Sequence, residues 1–380
     1  MIQRFFHPVG QGAFYSERHL FHNINININI VYDCGTEYKN RNNTDIKNVV
    51  RQSFSEDDVI DILFISHFDF DHISLIDTLR KTVKRIKRVV IPLLQKGETV
   101  VLYNVYKALG EYDLAQLVNE PNKFFGEGTQ IIEVKPHSEG NIEEGNIINV
   151  SERPDIKEVP SGTGLTINNL NDWVYIPFNY KYERRSEELL CKLKDQKIDV
   201  EQLKDQKTTG TNYILDPKVI EKIKVAYEEI SGNINENSMF LYSGPLYKKD
   251  IHFWRGRCWL KCFYWEHPYY SPYHYNTHRV ACLYTGDGDL NENKVDVRSI
   301  YNQYWDLIGT IQIPHHGSLP SFNANIFYDE YFICPISVGK KNSYGHPSQK
   351  VISEILLHES YPILVTEDID STFVEVITCD

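Results

Sequence analysis

The sequence predicts a layered α/β fold, on three observations. Between Val59 and Leu94 an apolar strand-like run, a helical stretch and a second apolar run follow one another, the rhythm of a sheet covered by helices. Farther along, short apolar runs repeatedly end in loops that carry Asp or His. With 380 residues, 41% of them hydrophobic, the chain is long enough to bury one large core or two ordinary ones.

Taken in order, the opening is β-rich. Gly10-Gln11-Gly12 supplies a turn able to bring backbone close to another group. Asn23 to Asp33 alternates Ile and Asn with period two, the pattern of a half-buried strand, and closes on Asp33-Cys34-Gly35. A helix is expected over about Asp45–Phe54. Val59–Ser66 reads as a fully buried strand that stops at His67-Phe68-Asp69-Phe70-Asp71-His72. A helix is expected from there toward Arg85, then a strand over Val89–Leu94.

The middle, about 96–232, is less regular. It has Gly-, Pro- and Asn-rich connections over Pro136–Asn171, a strand-like Trp173–Pro177, and a charged segment with Leu-Lys-Asp-Gln-Lys at 193–197 and again at 203–207. One or two exposed helices with a narrow apolar stripe fit that segment. From Asn235 buried strands return. Val280–Tyr284 runs into Thr285-Gly286-Asp287, Ile311–Ile313 into Pro314-His315-His316-Gly317-Ser318, and Phe332–Val338 into the loop before Tyr344-Gly345-His346-Pro347. Met239–Tyr242 is a further strand, helices are expected near Asn323 and Ser348, and strands at Ile363–Thr366 and Phe373–Ile377 close the chain.

Composition narrows the function classes. Forty Lys and Arg against 52 Asp and Glu give a net charge of −12, which argues against broad nonspecific binding to nucleic acid but leaves room for a local basic groove. No run approaches the roughly 18 consecutive apolar residues of a membrane helix, and the start has no apolar signal region. Seven scattered cysteines without a C-x-x-C pair read as reduced thiols, so a cytoplasmic location is expected.

His67, Asp69, Asp71 and His72 place four metal-ligand side chains within six residues at a strand exit. Imidazole with carboxylate suits zinc, manganese or iron. Carboxylates buried this densely repel one another unless a cation sits among them; the competing reading is a solvated acidic loop. Asp287 is the natural additional carboxylate, able to bridge two ions. His315 and His316 offer a further imidazole, with one expected to ligate and the other to reach substrate, since consecutive side chains diverge. His346 is a candidate general acid or phosphate ligand.

These blocks, together with Val9-Gly10-Gln11-Gly12, Asn235-x-Asn237-Ser238 and Ile336–Pro347, resemble the metallo-β-lactamase-fold hydrolase superfamily, most closely the hydrolase domain of ComEC-type DNA-uptake proteins. The resemblance implies an αββα sandwich with metals at one edge between two sheets. It also implies a single domain over 1–380 whose core halves are about 1–95 and 233–380, with 96–232 a mid-chain insertion. His67 and Asp69 would serve one metal, Asp71 and His72 the other, Asp287 both, and His315 or His316 the second. Asp33, Gln11, Ser318 and Tyr344 would support the site, and Lys340 and Asn342 are candidates for substrate contact. Asp69 stands where many superfamily members have His, which hardens the site and makes manganese or magnesium competitive with zinc. The imidazole that many members place between the first block and the bridging Asp has no clear counterpart; His137 is a candidate by position alone. ComEC-type transporters carry membrane helices and this chain has none, so a stand-alone soluble relative is implied, not DNA uptake itself.

The expected activity is metal-dependent hydrolysis by a phosphodiesterase or nuclease using one or two divalent ions, zinc or manganese with magnesium possible. Asp71 or Asp287 would orient the water, and His346 or the nonligating member of the 315/316 pair would protonate the leaving oxygen. The alternatives are a non-phosphate ester or lactone hydrolase of the same fold and a regulatory or interaction protein with a structural metal site. Partners expected are a nucleic acid or nucleotide phosphodiester and, through 183–207 or 252–275, a protein. Arg80–Arg88, with six basic residues in nine, reads either as a backbone-binding ridge or as a helix end complementing its dipole. The aromatic-rich 252–275 fits base stacking or hairpin packing equally. Cys258, Cys262 and His267 match no zinc-finger spacing.

Overall fold

A computed structural model describes residues 1–21, 26–40, 42–94, 96–137, 146–168, 170, 172–181, 191–201, 216–229, 237–248, 252–257, 279–291, 296–328 and 330–378. The first half of the chain contributes β1 (Ile2–Phe6), β2 (Phe14–Phe21), β3 (Ile26–Cys34), α1 (Thr44–Ser53), β4 (Val59–Phe64), α2 (Phe70–Ile73), α3 (Ile76–Thr82), β5 (Arg85–Ile86) and β6 (Arg88–Pro92). Next come α4 (Lys96–Ala108), α5 (Tyr112–Asn119), α6 (Pro121–Phe125), β7 (Gln130–Lys135), β8 (Ile147–Asn149), β9 (Glu158–Pro160), β10 (Gly164–Thr166) and β11 (Trp173–Lys181). The second half adds β12 (Asn237–Pro245), β13 (His252–Arg257), β14 (Ala281–Tyr284), β15 (Ile308–Ile311), β16 (Ile333–Ser337), β17 (Tyr361–Val365) and β18 (Phe373–Thr378).

Among the described residues the strands form two sheets. A ten-stranded sheet runs β13-β18-β1-β2-β3-β4-β6-β7-β9, with β5 also on β4, and an eight-stranded sheet runs β17-β16-β15-β14-β12-β11-β10-β8. Ile30, Tyr32, Ile62 and Phe64 of the first meet Tyr175, Met239, Leu241 and Tyr284 of the second in one buried cluster. Ile46, Val50, Leu79 and Val105, from helices, cover the outer face of the ten-stranded sheet, and Trp305, Phe327, Val351 and Ile355 cover the eight-stranded one. The order is helices, sheet, sheet, helices: an αββα sandwich.

β4 is buried along nearly its whole length because it lies between parallel neighbours β3 and β6, with both faces covered. β3 departs from the half-buried strand that its alternation predicts. Only Ile26 and Asn27 are exposed; Asn29 is 3% exposed, donating its side-chain N–H to the Val59 carbonyl at 3.0 Å while its backbone N–H reaches Asp61 at 3.0 Å. The helices over the second face, absent from any strand-level reading, bury it. The single helix expected toward Arg85 is two, broken at Ser74–Leu75, where the Leu75 N–H turns to the Cys34 carbonyl at 2.9 Å.

The middle contributes strands to both sheets. β7 and β9 extend the ten-stranded sheet, while β8, β10 and β11 extend the eight-stranded one, with β11 paired along β12. Ile132, Val134, Leu165 and Tyr175 enter the inter-sheet core, and Leu102, Leu114, Leu193 and Ile223 the helical layer. Three of these strands, β8, β9 and β10, have only three residues each, too few to show a period in the sequence. Much of 183–207 and 252–275 lies outside the described residues, including the second Leu-Lys-Asp-Gln-Lys copy and Cys258, Cys262 and His267; His252–Arg257 forms edge strand β13 on β18. Several cations of the 80–88 run are met locally, Arg80 and Lys81 by Asp77 and Lys87 by Asp61, with Arg88 on the Val150 carbonyl. Among the described residues no helix is long and apolar enough to cross a membrane.

A candidate metal centre between the sheets

The centre is built on two glycine-bearing turns. Asp33 at the end of β3 has φ 55°, a left-handed conformation that Asp tolerates better than most residues. It turns the chain into Gly35, where a Cβ would stand 2.4 Å from the Asp71 carbonyl oxygen; at Gly12 a Cβ would stand 2.5 Å from the Gly35 carbonyl. The Ala13 N–H donates to that Asp71 carbonyl at 3.0 Å. The two early motifs thus form a backbone cradle for the Asp71–His72 segment. On the opposite sheet, Gly286 has φ 54° and a Cβ there would meet Ser66 and Ser238 at 2.9 Å, so the Thr285-Gly286-Asp287 turn packs directly on the end of β4.

Four imidazoles are tethered through Nδ1. His72 Nδ1 donates to Asp33 Oδ2 at 2.8 Å, and His316 Nδ1 donates to the Ser337 carbonyl at 2.9 Å. The Ser66 hydroxyl donates to Asp33 at 2.6 Å, which leaves its lone pair to accept from His67 Nδ1 at 2.8 Å. His315 Nδ1 is 3.2 Å from Ser321 Oγ. Protons held on Nδ1 leave Nε2 as the ligating atom, and tethers of this kind orient imidazoles in metal sites.

The Nε2 atoms face carboxylates. His67 Nε2 is 3.4 Å from Asp69 Oδ2 and 3.8 Å from Asp287 Oδ2; His72 Nε2 is 3.1 Å from Asp287 Oδ1; His316 Nε2 is 3.0 Å from Asp71 Oδ2; His315 Nε2 is 4.0 Å from Asp287 Oδ2. Two sets of donor atoms lie close enough together to hold an ion, His67 with His72 and Asp287, and Asp71 with His72 and His316. His67 Nε2 and Asp287 Oδ2 are both buried without a hydrogen-bond partner while facing the same space. Unsatisfied buried polar atoms are costly; a divalent cation between them would satisfy both, so the donor set fits one.

Electrostatics point the same way. Burial pushes the Asp69 carboxyl up, only partly offset by His67. Burial also works against ionised Asp71 and Asp287, yet nearby imidazoles overcome it, His72 and His316 at Asp71 and His315 and His72 at Asp287, and both are held below the usual carboxylate range. Against the same burial, Asp287 and Asp71 raise His72, and Asp71 raises His316. The centre draws positive charge, as protons or as metal.

The remaining predicted residues are spread around this centre. Gln11 is buried, accepting the Gly339 N–H on its side chain at 3.2 Å and the Glu37 N–H on its carbonyl at 2.7 Å. Ser318 is buried and closes the histidine turn, its N–H reaching the His315 carbonyl at 2.9 Å. The His346 ring lies 5.5 Å from that of His315, and Tyr344, 45% exposed, lies 6.1 Å from His346 at 23° between planes. Asn342 Oδ1 accepts the His346 N–H at 3.1 Å, and its Nδ2 donates to the Gly339 and His346 carbonyls at 2.7 Å. It shapes the loop. Lys340 pairs with Asp368, and its N–H with Glu367, away from the carboxylate cluster. His137 stands against Phe178, ring centres 5.1 Å apart, and joins neither donor set. Asn235 is outside the described residues; Ser238 donates to the Thr285 carbonyl at 3.5 Å.

Sequence reasoning passed over Gln312. Its side-chain oxygen accepts from Thr285 N–H at 2.8 Å and Gly286 N–H at 2.9 Å, and its amide donates to Ile313 carbonyl at 2.7 Å, locking the Asp287 turn to the histidine turn. A polar residue inside the apolar Ile311-Gln312-Ile313 run was the available signal. Beneath the centre the buried rings of Tyr15, Tyr32 and Tyr284 stack with centroids 4.9 to 6.2 Å apart.

As a sequence, the chain matches no protein family and none of the curated proteins. Among solved structures it is similar to the short form of human tRNase Z (ELAC1), with 9% identity and a TM-score of 0.36 over 96% of this chain and 92% of that one. It is also similar to unliganded yeast PDE1, with 8% identity and a TM-score of 0.37 over 99% of both chains.

Proposed function

We propose that this chain is a metal-dependent hydrolase of phosphodiesters, of a nucleic acid or a nucleotide, with His67, Asp69, Asp71, His72, Asp287 and the His315–His316 turn as its metal-binding residues. The observation that carries the reading is the pair of partnerless buried atoms, His67 Nε2 and Asp287 Oδ2, 3.8 Å apart and facing each other within a ring of imidazoles and carboxylates. The mix of nitrogen and carboxylate donors suits zinc or manganese, with magnesium a weaker candidate. When bound, one or two divalent ions supply Lewis acidity and lower the pKa of a water toward neutrality.

The chain's own groups then divide the remaining work. Asp71, on the helix turn and itself a member of the second donor set, accepts a hydrogen bond from the attacking water and orients it toward phosphorus. His346 stands beside His315 and outside the carboxylate cluster, within reach of a leaving oxygen; burial and His316 depress its pKa. Such an imidazole rests mostly neutral near pH 7, so it must take up a proton before it can pass one to a departing alkoxide. His316, held between Asp71 and the Ser337 carbonyl, stays with the metal donors. Imidazoles beyond those needed for ligation favour an anionic substrate over a neutral ester or lactone.

The test is metal content by elemental analysis with cleavage assays on DNA, RNA and cyclic nucleotides under magnesium, manganese and zinc. Wild type should retain divalent metal and cleave at least one of these, and Asp71→Ala should lose at least a hundredfold in rate with its fold intact. Hydrolysis of esters or lactones with no phosphodiester turnover under any metal would move the chain to non-phosphate chemistry. Absence of stoichiometric metal would leave only a binding role.

A further inference from the structure

We infer that Tyr344 is the base-binding platform of the site, the ring on which a short nucleotide phosphodiester rests its base while its phosphate lies at the metal-binding residues. This rests on the phosphodiesterase reading above and deepens it, by naming a contact residue and by choosing a short nucleotide over a long nucleic acid.

A path of rings leads out of the centre. The His315 ring lies 5.5 Å from that of His346, and the His346 ring 6.1 Å from that of Tyr344, with only 23° between the last two planes. His315 is 8% exposed and Tyr344 45%, so the path runs from the buried donors to solvent. Burial, Glu37 and Asp71 raise the pKa of the Tyr344 phenol against the pull of Lys39, which puts the ring near the Asp71 side of the centre as well. A lone exposed tyrosine is ordinary on a protein surface. One that lies against a histidine of the site, with much of its ring open to solvent, is a surface for stacking.

The loop that carries the ring is braced. Asn342 Oδ1 accepts the His346 N–H at 3.1 Å, and its Nδ2 donates to the Gly339 and His346 carbonyls at 2.7 Å. The Gly339 N–H donates to the Gln11 side chain at 3.2 Å and the Ser348 N–H to the Gly317 carbonyl at 3.0 Å, so one end is tied to the Gln11 turn and the other to the histidine turn. A Cβ at Gly317 would stand 2.6 Å from Pro347. At the tip, Gly345 has φ 74° and open space where a Cβ would be. A ring on such a frame loses little freedom when a ligand settles on it. Asn342 and Lys340, both expected to meet substrate, are committed to the loop and to Asp368 instead.

Charge around the ring sets the length of the substrate. Lys39 is paired with Glu37 at 2.8 Å, and Lys340 with Asp368 while its N–H meets Glu367. The basic run at 80–88 lies at the other end of β4: Arg85 and Ile86 pair with Val59 and Ile60, whereas the centre begins at Ser66, roughly 20 Å farther along the strand direction. A row of phosphates crossing this rim would pass Glu37, Glu367 and Asp368. A short nucleotide with its one charge at the metal-binding residues and its base on Tyr344 avoids that repulsion.

The test reads binding before turnover. Protein loaded with manganese is titrated in a calorimeter with adenosine 5′-monophosphate and with ribose 5-phosphate, the same ligand without its base. Wild type should hold the adenosine nucleotide tighter by about tenfold or more. Tyr344→Leu, which keeps apolar bulk and loses the aromatic face, should erase that difference with metal content unchanged, and Tyr344→Phe should keep it. In cleavage, wild type should favour the dinucleotide ApA over a long adenine oligonucleotide, counted per phosphodiester bond, and Tyr344→Leu should raise KM for ApA about tenfold. Four results overturn the inference while phosphodiester turnover still supports the function: equal binding of the two phosphates by wild type, a preference that survives in Tyr344→Leu, its loss in Tyr344→Phe, or faster cleavage of the oligonucleotide. No turnover of any phosphodiester removes both.

Discussion

Asp33 Oδ2 lies 2.8 Å from His72 Nδ1 while the same carboxylate accepts both the backbone N–H and the hydroxyl of Ser66, at 2.7 and 2.6 Å. One buried side chain thus aligns His72 directly and His67 through Ser66. Asp33→Asn replaces one accepting oxygen with a donor, so the imidazole tether and the serine contact cannot both survive. Metal affinity should fall between about tenfold and a hundredfold with the fold retained. Titration calorimetry with manganese checks this, and unchanged affinity would show that the tether does not orient the ligands.

Gly35→Ala should be far more damaging than its size suggests. The added methyl would stand 2.4 Å from the Asp71 carbonyl, and backbone cannot swing aside as a side chain can. A loss of about 1–3 kcal/mol in urea unfolding is expected, with weaker ion binding as Asp71 and His72 are displaced. Gly110→Ala is the control. It has φ 80° but nothing within 4 Å of its Cβ, so it pays only the left-handed backbone cost and leaves ion binding unchanged.

Chelation should destabilise the protein measurably. Asp69, Asp71 and Asp287 are buried together, and a bound cation relieves their repulsion in the folded state alone. At a hundredfold excess of metal over its dissociation constant the gain is about 2.7 kcal/mol. The melting temperature should fall on adding chelator and recover on restoring manganese or zinc. A melting temperature indifferent to both would count against a resident ion.

His7 makes stability depend on acid. Burial, with Arg18 nearby, lowers its pKa to about 3, and it sits neutral between Ser16 at 2.7 Å and Ser53 at 3.2 Å, stacked 4.0 Å from Phe14. In the unfolded chain the same group titrates near 6.5. Between these values the unfolded state binds the extra proton, so stability is full above pH 6.5 and drains away as pH falls toward 3. His7→Asn should flatten that part of the profile, read as unfolding free energy against pH. An identical slope in both proteins would show that other groups set it.

The buried network at the sheet interface gives the last prediction. Arg4 donates to Glu17 at 2.8 Å and to Glu375 at 2.5 Å, with Tyr175, Ser243 and Tyr284 completing Glu17. Arg4→Met strands two buried carboxylates and should cost about 3–5 kcal/mol in chemical unfolding. Adding Glu17→Gln should recover part of it; no recovery would place the loss in packing instead of charge.

Some of this was legible in the sequence and some was not. The His67–His72 block announces itself because a buried strand ending in four ligand-type residues has few other uses, and the strands before Asp287 and His315 are visible as apolar runs. The short strands Glu158–Pro160 and Gly164–Thr166 are not, since three residues hold no period. Asn29 reads as solvent-facing until helices cover it. Arg4, Glu17 and Glu375 are far apart in sequence and carry no motif; only sheet pairing makes them neighbours.

The order and chemical type of the candidate ligands were settled by the sequence alone: hard carboxylates and imidazoles, each at a strand end. Which nitrogen faces inward, and that both histidines of an adjacent pair do, was decided by tertiary structure. The sign of φ at His315 and His316, and the anchors at Asp33, Ser66, Ser321 and Ser337, depend on hydrogen bonds between elements distant in the chain. Local residue pattern has no access to that information, because the energy that holds a left-handed turn or a tethered imidazole comes from what packs around it.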